Sequence, residues 1–203
     1  MEAKFKQSLE VIAQFYDQRK VADDIGALGF WRSSDLKTLL RCFENLQREG
    51  LLRPDSLFLD MGCGDGRVNV LMSYFVKASV GIECDQWALD EYGVLREGLD
   101  QVLRSKALPL PPPNIYLFKG DVCSQGVHEQ VKLQSGIGFE QFDFFYTYLV
   151  MHEEFSSLIS AKAKPGAIFM LYGVGKVLPQ YDGLKLMSNI SPMLGILALY
   201  RKE

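Results

Sequence analysis

Short runs of continuous apolar residues alternate along the chain with longer stretches whose apolar positions recur every three or four residues. The runs suit strands buried on both faces and the stretches suit helices with one face inward, so the pattern predicts an α/β domain. Leu57-Phe58-Leu59-Asp60-Met61 is the central run, and the glycine turn behind it opens a helix on which Val68, Leu71, Met72 and Phe75 share a stripe. Upstream, a helix is expected from about Ala3 to Arg19, with Phe5, Leu9, Ile12 and Tyr16 inward. A second begins near Ser33 or Ser34, either able to cap it, buries Leu36, Leu39, Leu40 and Phe43, and closes at Gly50. Downstream come a strand over 79–83, a helix over 86–105 using Leu89, Tyr92, Leu95 and Leu99, and a stiff proline-rich loop over 107–113. Further strands are expected over 114–119, 142–149 and 167–172, with a helix carrying Phe155, Leu158 and Ile159 between the last two. Segments 184–190 and 194–200 suit a closing antiparallel hairpin.

Composition narrows this picture. At 203 residues one α/β domain is expected, large enough for a sizeable core, and 48% hydrophobic with 23% charged residues is ordinary for a soluble globule. A net charge of -3 supplies no general field for nucleic acid, and no apolar run reaches the length of a membrane span. The N-terminus lacks a signal-peptide pattern, and Glu2 and Glu10 argue against an organelle transit peptide. The four cysteines, Cys42, Cys63, Cys84 and Cys123, show no CxxC spacing, and with only two histidines a zinc site is not expected. Free thiols, no metal and a cytoplasmic location are the expectation.

Candidate chemistry starts at the glycine turn, where Gly62, Gly64 and Gly66 allow positive φ and close approach of backbone to a ligand. Seventeen residues beyond Gly66, the next strand ends in Glu83, placed to accept hydrogen bonds from ribose hydroxyls. The two features describe a nucleoside-binding βαβ unit. The dinucleotide fingerprint would need glycine where Arg67 stands, and Asp60 ahead of the turn would repel a pyrophosphate but suits a cationic ligand. At this point the sequence resembles the class I, Rossmann-like methyltransferases that use S-adenosyl-L-methionine. The resemblance implies a three-layer αβα sandwich around a seven-stranded sheet in order 3-2-1-4-5-7-6, parallel except for the last strand. It also implies a cofactor set of Asp60, Gly62, Cys63, Gly64, Gly66, Glu83, Cys84, Trp87, Asp121, Val122 and Tyr146. In that set Asp121 accepts from the adenine amino group; its other role would be a turn or helix cap. Residues 51–203 would form the methyltransferase domain and residues 1–50 an N-terminal helical extension. Within the extension, the glycine-bearing, aromatic stretch 23–32 is either a lid over the cofactor or, through Phe30 and Trp31, packing between helices and sheet.

A narrower resemblance rests on Asp60-Met-Gly-Cys-Gly-Asp-Gly-Arg67, Gly81-Ile-Glu83 with Trp87 four residues on, Tyr148-Leu-Val and Lys164-Pro-Gly166. These look like the seven-stranded lysine methyltransferases, among them the ATP-synthase c-subunit group, and they imply a protein lysine as acceptor. The resemblance places the nucleophile at the end of the fourth strand, where Tyr146 and Tyr148 share a face with Thr147 opposite. Aromatic faces favour an alkylamine, and the absence of an Asn-Pro-Pro-Tyr run counts against planar amide or nucleobase nitrogens. His152 could act as a general base or could simply belong to a polar first turn of helix with Glu153 and Glu154. Two alternatives stand beside this reading: a small-molecule O- or N-methyltransferase, and a non-catalytic module that binds the cofactor or a partner.

Overall fold

The computed structural model describes residues 2–19, 25–26, 29–30 and 33–203. The expected lid stretch lies mostly outside the described residues, Trp31 and the Phe30 side chain included; its described part is a ladder of β1 (Ile25–Gly26) and β2 (Gly29–Phe30). Seven strands form the main sheet: β3 (Leu57–Met61), β4 (Ala78–Glu83), β5 (Ile115–Lys119), β6 (Phe144–Tyr148), β7 (Ile168–Tyr172), β8 (Leu184–Leu186) and β9 (Leu197–Lys202). Their spatial order is β5-β4-β3-β6-β7-β9-β8, which is 3-2-1-4-5-7-6 when these seven are counted in chain order. β9 alone runs against its neighbours, pairing antiparallel with both β7 and β8. The Rossmann-like αβα fold expected from the sequence is therefore the fold observed.

Strand alternation sorts side chains onto two cores. Phe58, Phe144, Tyr146, Met170 and Tyr172 face one side, covered by α1 (Glu2–Asp17), α2 (Leu36–Arg48), α3 (Arg67–Met72) and α4 (Gln86–Ser105). Leu59, Phe145, Phe169, Leu171 and Tyr200 face the other, covered by α5 (Gln125–Ser135) and α6 (His152–Lys162). Among the described residues no helix is long and apolar enough to cross a membrane.

Four local departures from expectation have simple causes. α1 ends at Asp17 rather than Arg19, because Asp17 turns its carboxylate to accept the N–H groups of Leu36 at 2.8 Å and Lys37 at 3.1 Å, at the open start of α2. The N-cap of α2 is Asp35, not Ser33 or Ser34: its carboxylate accepts from Thr38 N–H at 2.7 Å. The closing hairpin is shorter than its apolar segments, since Ser191 and Ile190 close a turn onto the Met187 carbonyl and Leu194 and Gly195 take positive φ. α5 has only Val127 and Val131 as buried aliphatics, spaced one turn apart, which leaves little periodicity to announce it.

Candidate functional site

The glycine turn leaves β3 at the C-terminal edge of the sheet, where ligands of open α/β sheets bind. Gly62, Gly64 and Gly66 all take positive φ (89°, 54° and 72°), so the loop can fold back on itself. The N–H groups of Gly62 and Cys63 both donate to the Ile82 carbonyl, at 2.9 and 3.1 Å, which lays the turn across β4. At Gly66 a Cβ would stand 2.8 Å from the Tyr92 ring and 2.9 Å from Leu117, so close helix packing as well as φ demands glycine there.

Glu83 closes the loop from the end of β4. Its Oε2 accepts from Gly64 N–H at 2.8 Å and its Oε1 from Asp85 N–H at 2.9 Å, and the Cys84 thiol donates to Oε1 at 3.4 Å. Each carboxylate oxygen thus keeps acceptor capacity beyond the backbone bond it already makes. Asp60, at the adjacent strand end, is 2% exposed and has no hydrogen-bond partner among the described residues. Burial, and then the nearby charges of Glu83 and Asp65, push its carboxyl well above the usual range.

A second acidic residue of the turn is compensated. Asp65 is fully buried and accepts from Arg67 Nε at 3.0 Å and Nη2 at 2.7 Å, while the Arg67 guanidinium lies 5.6 Å over the Tyr16 ring. Arg19, at the end of the N-terminal helical segment, reaches Asp65 at 3.3 Å and also pairs with Glu91 of α4. The N-terminal extension is thereby tied to the turn.

Tyr146 pairs in register with Asp60 on the neighbouring strand, and its buried hydroxyl bonds to Ser34. Displacing the cap of α2 to Asp35 is what leaves the Ser34 hydroxyl for this contact. Tyr148 is half-buried, and the Tyr172 ring stands 5.5 Å from it and 6.4 Å from Tyr146, with the Tyr172 hydroxyl accepting from Asp35 N–H at 3.2 Å. Thr147 points to the opposite face, donating to the Met61 carbonyl at 3.0 Å.

One cleft brings together Asp60, Gly62, Cys63, Gly64, Tyr146 and Tyr148 from the sequence reading, and adds Ser33, Ser34, Asp65, Arg67 and Val68. It encloses about 40 Å³, against roughly 300–1,000 Å³ for a typical small-molecule site, so a nucleoside-sized ligand needs its lining to shift. A larger hollow of about 470 Å³ lies between α5 and α6, but none of the glycine-turn residues borders it. Gly66 caps α3, and Glu83 touches the cleft through Gly64. Cys84, Trp87, Asp121 and Val122 do not line it. Asp121 is exposed and accepts from Cys123 N–H at 2.8 Å in a turn leading to α5, while the Val122 carbonyl accepts from His128 Nε2 at 2.7 Å. His152 belongs to the other face of the sheet, its Nδ1 lying 2.7 Å from the Tyr181 hydroxyl. The Arg67–Asp65 pair was visible in sequence only as a break in the dinucleotide pattern, and nothing in the sequence marked Arg19 or Ser34 as neighbours of the turn. Glu83, Cys84 and Asp85 offer ligand atoms within 4.8 Å of one another, but both Glu83 oxygens already accept backbone N–H groups.

No protein-family model matches the chain, and no curated protein matches it in sequence. Solved structures do resemble it. The proposed methyltransferase yhhF of Escherichia coli is 15% identical over 85% of this chain and 87% of that one, with a TM-score of 0.51. A substituted form of MtNAS in complex with S-adenosylmethionine is 13% identical over 100% of this chain and 72% of that one, with a TM-score of 0.51. A hypothetical protein of Thermus thermophilus is 18% identical over 91% of this chain and 94% of that one, with a TM-score of 0.50. Together with the strand order these likenesses establish a fold, the Rossmann-like seven-stranded one of class I methyltransferases.

Proposed function

We propose that this chain is an S-adenosyl-L-methionine-dependent methyltransferase that acts on a nucleophile presented at the end of β6, with a protein lysine as acceptor. The observation that carries the reading is Asp60, a carboxylate 2% exposed, without a hydrogen-bond partner among the described residues, facing the glycine turn. A buried carboxylate without a partner is costly to the fold, and a ligand bearing an amine relieves that cost. Glu83, with acceptor capacity left on both oxygens, suits two ribose hydroxyls beside it. MtNAS, of similar fold, is in complex with S-adenosylmethionine, which supports the same cofactor here. Gly62, Cys63, Gly64 and Gly66 let the backbone approach the ligand; Cys84, Trp87, Asp121, Val122 and Tyr146 complete the proposed set.

When bound, the sulfonium supplies an activated methyl group on a good leaving group. The chain's own residues then align the nucleophile and exclude water, which supplies much of the rate. The Tyr146 and Tyr148 rings border the cleft and suit an alkylamine, first by cation–π contact and then, once it is desolvated, by disfavouring its charged form. Residues 1–50 are assigned to the acceptor entrance and 51–203 to the methyltransferase domain, a division supported by Ser33 and Ser34 in the cleft lining and by Arg19 on Asp65.

Calorimetry and thermal scans test the cofactor. S-adenosylmethionine and S-adenosylhomocysteine should bind and raise Tm, by about 2.7 kcal/mol of stabilisation at one hundred times Kd, whereas NAD should not. NAD stabilising the protein while the sulfonium does nothing would reverse the assignment. Incubation with methyl-labelled S-adenosylmethionine and cell lysate then tests the acceptor: label in protein, at lysine, is expected, and label confined to small molecules rejects the lysine.

A further inference from the structure

On the face of β6 away from the tyrosines, the structure fixes the position of a proton. His152 opens α6, and its Nδ1 lies 2.7 Å from Tyr181 Oη. The Tyr181 ring is held by Tyr200 edge-on at 4.9 Å and by Phe169 at 5.9 Å, and the imidazole packs against it at 5.8 Å. Tyr200 sends its own hydroxyl proton to the Pro179 carbonyl at 2.8 Å, so it offers Tyr181 nothing. Among the described residues Tyr181 Oη has no hydrogen-bond partner except His152 Nδ1. Burial, then the neighbouring Tyr200 and Glu153, lift the Tyr181 phenol above its ordinary value, so it keeps its proton. A half-buried phenol proton left without an acceptor is penalised, and the acceptor within reach is the Nδ1 lone pair.

We infer that Tyr181 donates to His152 Nδ1 and fixes the neutral imidazole as its Nε2–H tautomer, making His152 a hydrogen-bond donor to an oxygen of the methyl acceptor rather than a general base. With Nδ1 occupied, the outer nitrogen carries the proton and has no lone pair to receive another. His152 is partly exposed, and its Nε2 has no partner among the described residues. It follows the exposed Leu149 and Val150, where the chain leaves β6 at the end proposed for the acceptor. The oxygen it suits is a carbonyl or carboxylate that reaches over the end of β6 to the face away from the tyrosines, as the peptide backbone flanking an acceptor residue supplies. Tyr181 is then a positioning residue. The donor role rests on the methyltransferase reading; the tautomer does not.

The chain's two histidines make the test readable. His128 Nε2 lies 2.7 Å from the Val122 carbonyl, which can only accept, so His128 is an internal standard for the Nε2–H tautomer. Long-range ¹H–¹⁵N correlation spectra of the full-length protein, at a pH where both rings are neutral, should show that pattern twice. His152→Gln removes one pattern and assigns it. Tyr181→Phe, which removes only the hydroxyl, should leave the His128 pattern and the melting curve unchanged while turning the His152 pattern into a tautomer mixture. An Nδ1–H pattern for His152 in the native protein, or no change in Tyr181→Phe, overturns the assignment. For the donor role, label transfer into the lysate acceptor should fall in His152→Ala and recover at least half of that loss in His152→Gln, which keeps an N–H but no base. Equal loss in both variants with intact S-adenosylhomocysteine binding overturns it. Failure of the native protein to bind S-adenosylhomocysteine overturns the methyltransferase reading instead, and leaves the tautomer standing.

Discussion

Replacing Glu83 by Ala should damage both the empty protein and its affinity for the cofactor, and the two losses can be measured apart. Without ligand, the carboxylate accepts from Gly64 N–H at 2.8 Å and from Asp85 N–H at 2.9 Å. The Gly64 donor is buried in the turn, so leaving it unsatisfied costs about 1–3 kcal/mol. The Asp85 donor is only part-buried and water recovers some of its bond, for a further loss of about 0.5–1.5 kcal/mol. A total near 1.5–4.5 kcal/mol corresponds to a fall in Tm of about 3–18 °C, at roughly 2–4 °C per kcal/mol for a domain of this size. Charge-assisted bonds to two ribose hydroxyls add about 1.5–3 kcal/mol to ligand affinity, so Kd for S-adenosylhomocysteine should rise about 10- to 150-fold. Differential scanning calorimetry without ligand reads the first loss and isothermal titration of the folded variant reads the second. An unchanged Kd in a folded variant refutes the ribose role, and an unchanged Tm without ligand refutes the claim that Glu83 braces the turn.

Three further expectations follow from the same geometry. Asp60→Asn should raise Tm without ligand yet weaken S-adenosylmethionine in titration, because it removes an unpartnered buried charge that the ligand uses. The sign with pH runs the same way: the folded protein holds the Asp60 proton longer than the unfolded chain, so stability falls as pH rises from the ordinary carboxylate range to the raised folded value, and Asp60→Asn should remove that decline from a pH series of melts. Arg67→Met leaves Asp65 buried with the more distant Arg19 as its cation and the backbone N–H of residue 67 as a donor, and should cost about 3–5 kcal/mol in chemical denaturation, with a smaller loss when Asp65→Asn is added. Tyr148→Ala should lower single-turnover methyl transfer at least tenfold while Kd for S-adenosylhomocysteine stays within threefold, about 0.6 kcal/mol; full transfer in a folded variant would remove Tyr148 from the acceptor site.

The sheet was legible because β3, β4, β6 and β7 are buried on both faces and therefore continuous in apolar residues, and because glycines at alternate positions after β3 have few other uses. Helix ends were legible only to within a residue or two. Ser34 and Asp35 are both competent caps, and the choice fell to Asp35 in a structure that engages the Ser34 hydroxyl with Tyr146, a residue 112 positions away. Arg19 and Asp65 are 46 positions apart and Glu91 is further still, so the ion pairs that tie the first helical segment to the glycine turn left no local signal. His152 and the tyrosines are close in sequence yet lie on opposite faces, because the chain passes over the end of β6 between them.

Two cysteines lie near the glycine turn, Cys63 in the cleft lining and Cys84 beside Glu83, and each is kept quiet by different physics. Cys63 is buried, which pushes its thiol well above its usual value. Cys84 is exposed, but partial burial and then the Glu83 carboxylate lift its thiol to about 11. Only thiolate reacts, so at neutral pH Cys84 is nucleophilic far more rarely than an ordinary thiol. The charge that braces the turn thereby also guards its neighbour against oxidants and alkylating agents. A protein without the Glu83 carboxylate would lose more than a hydrogen-bond acceptor: its exposed sulfur would become more reactive towards electrophiles.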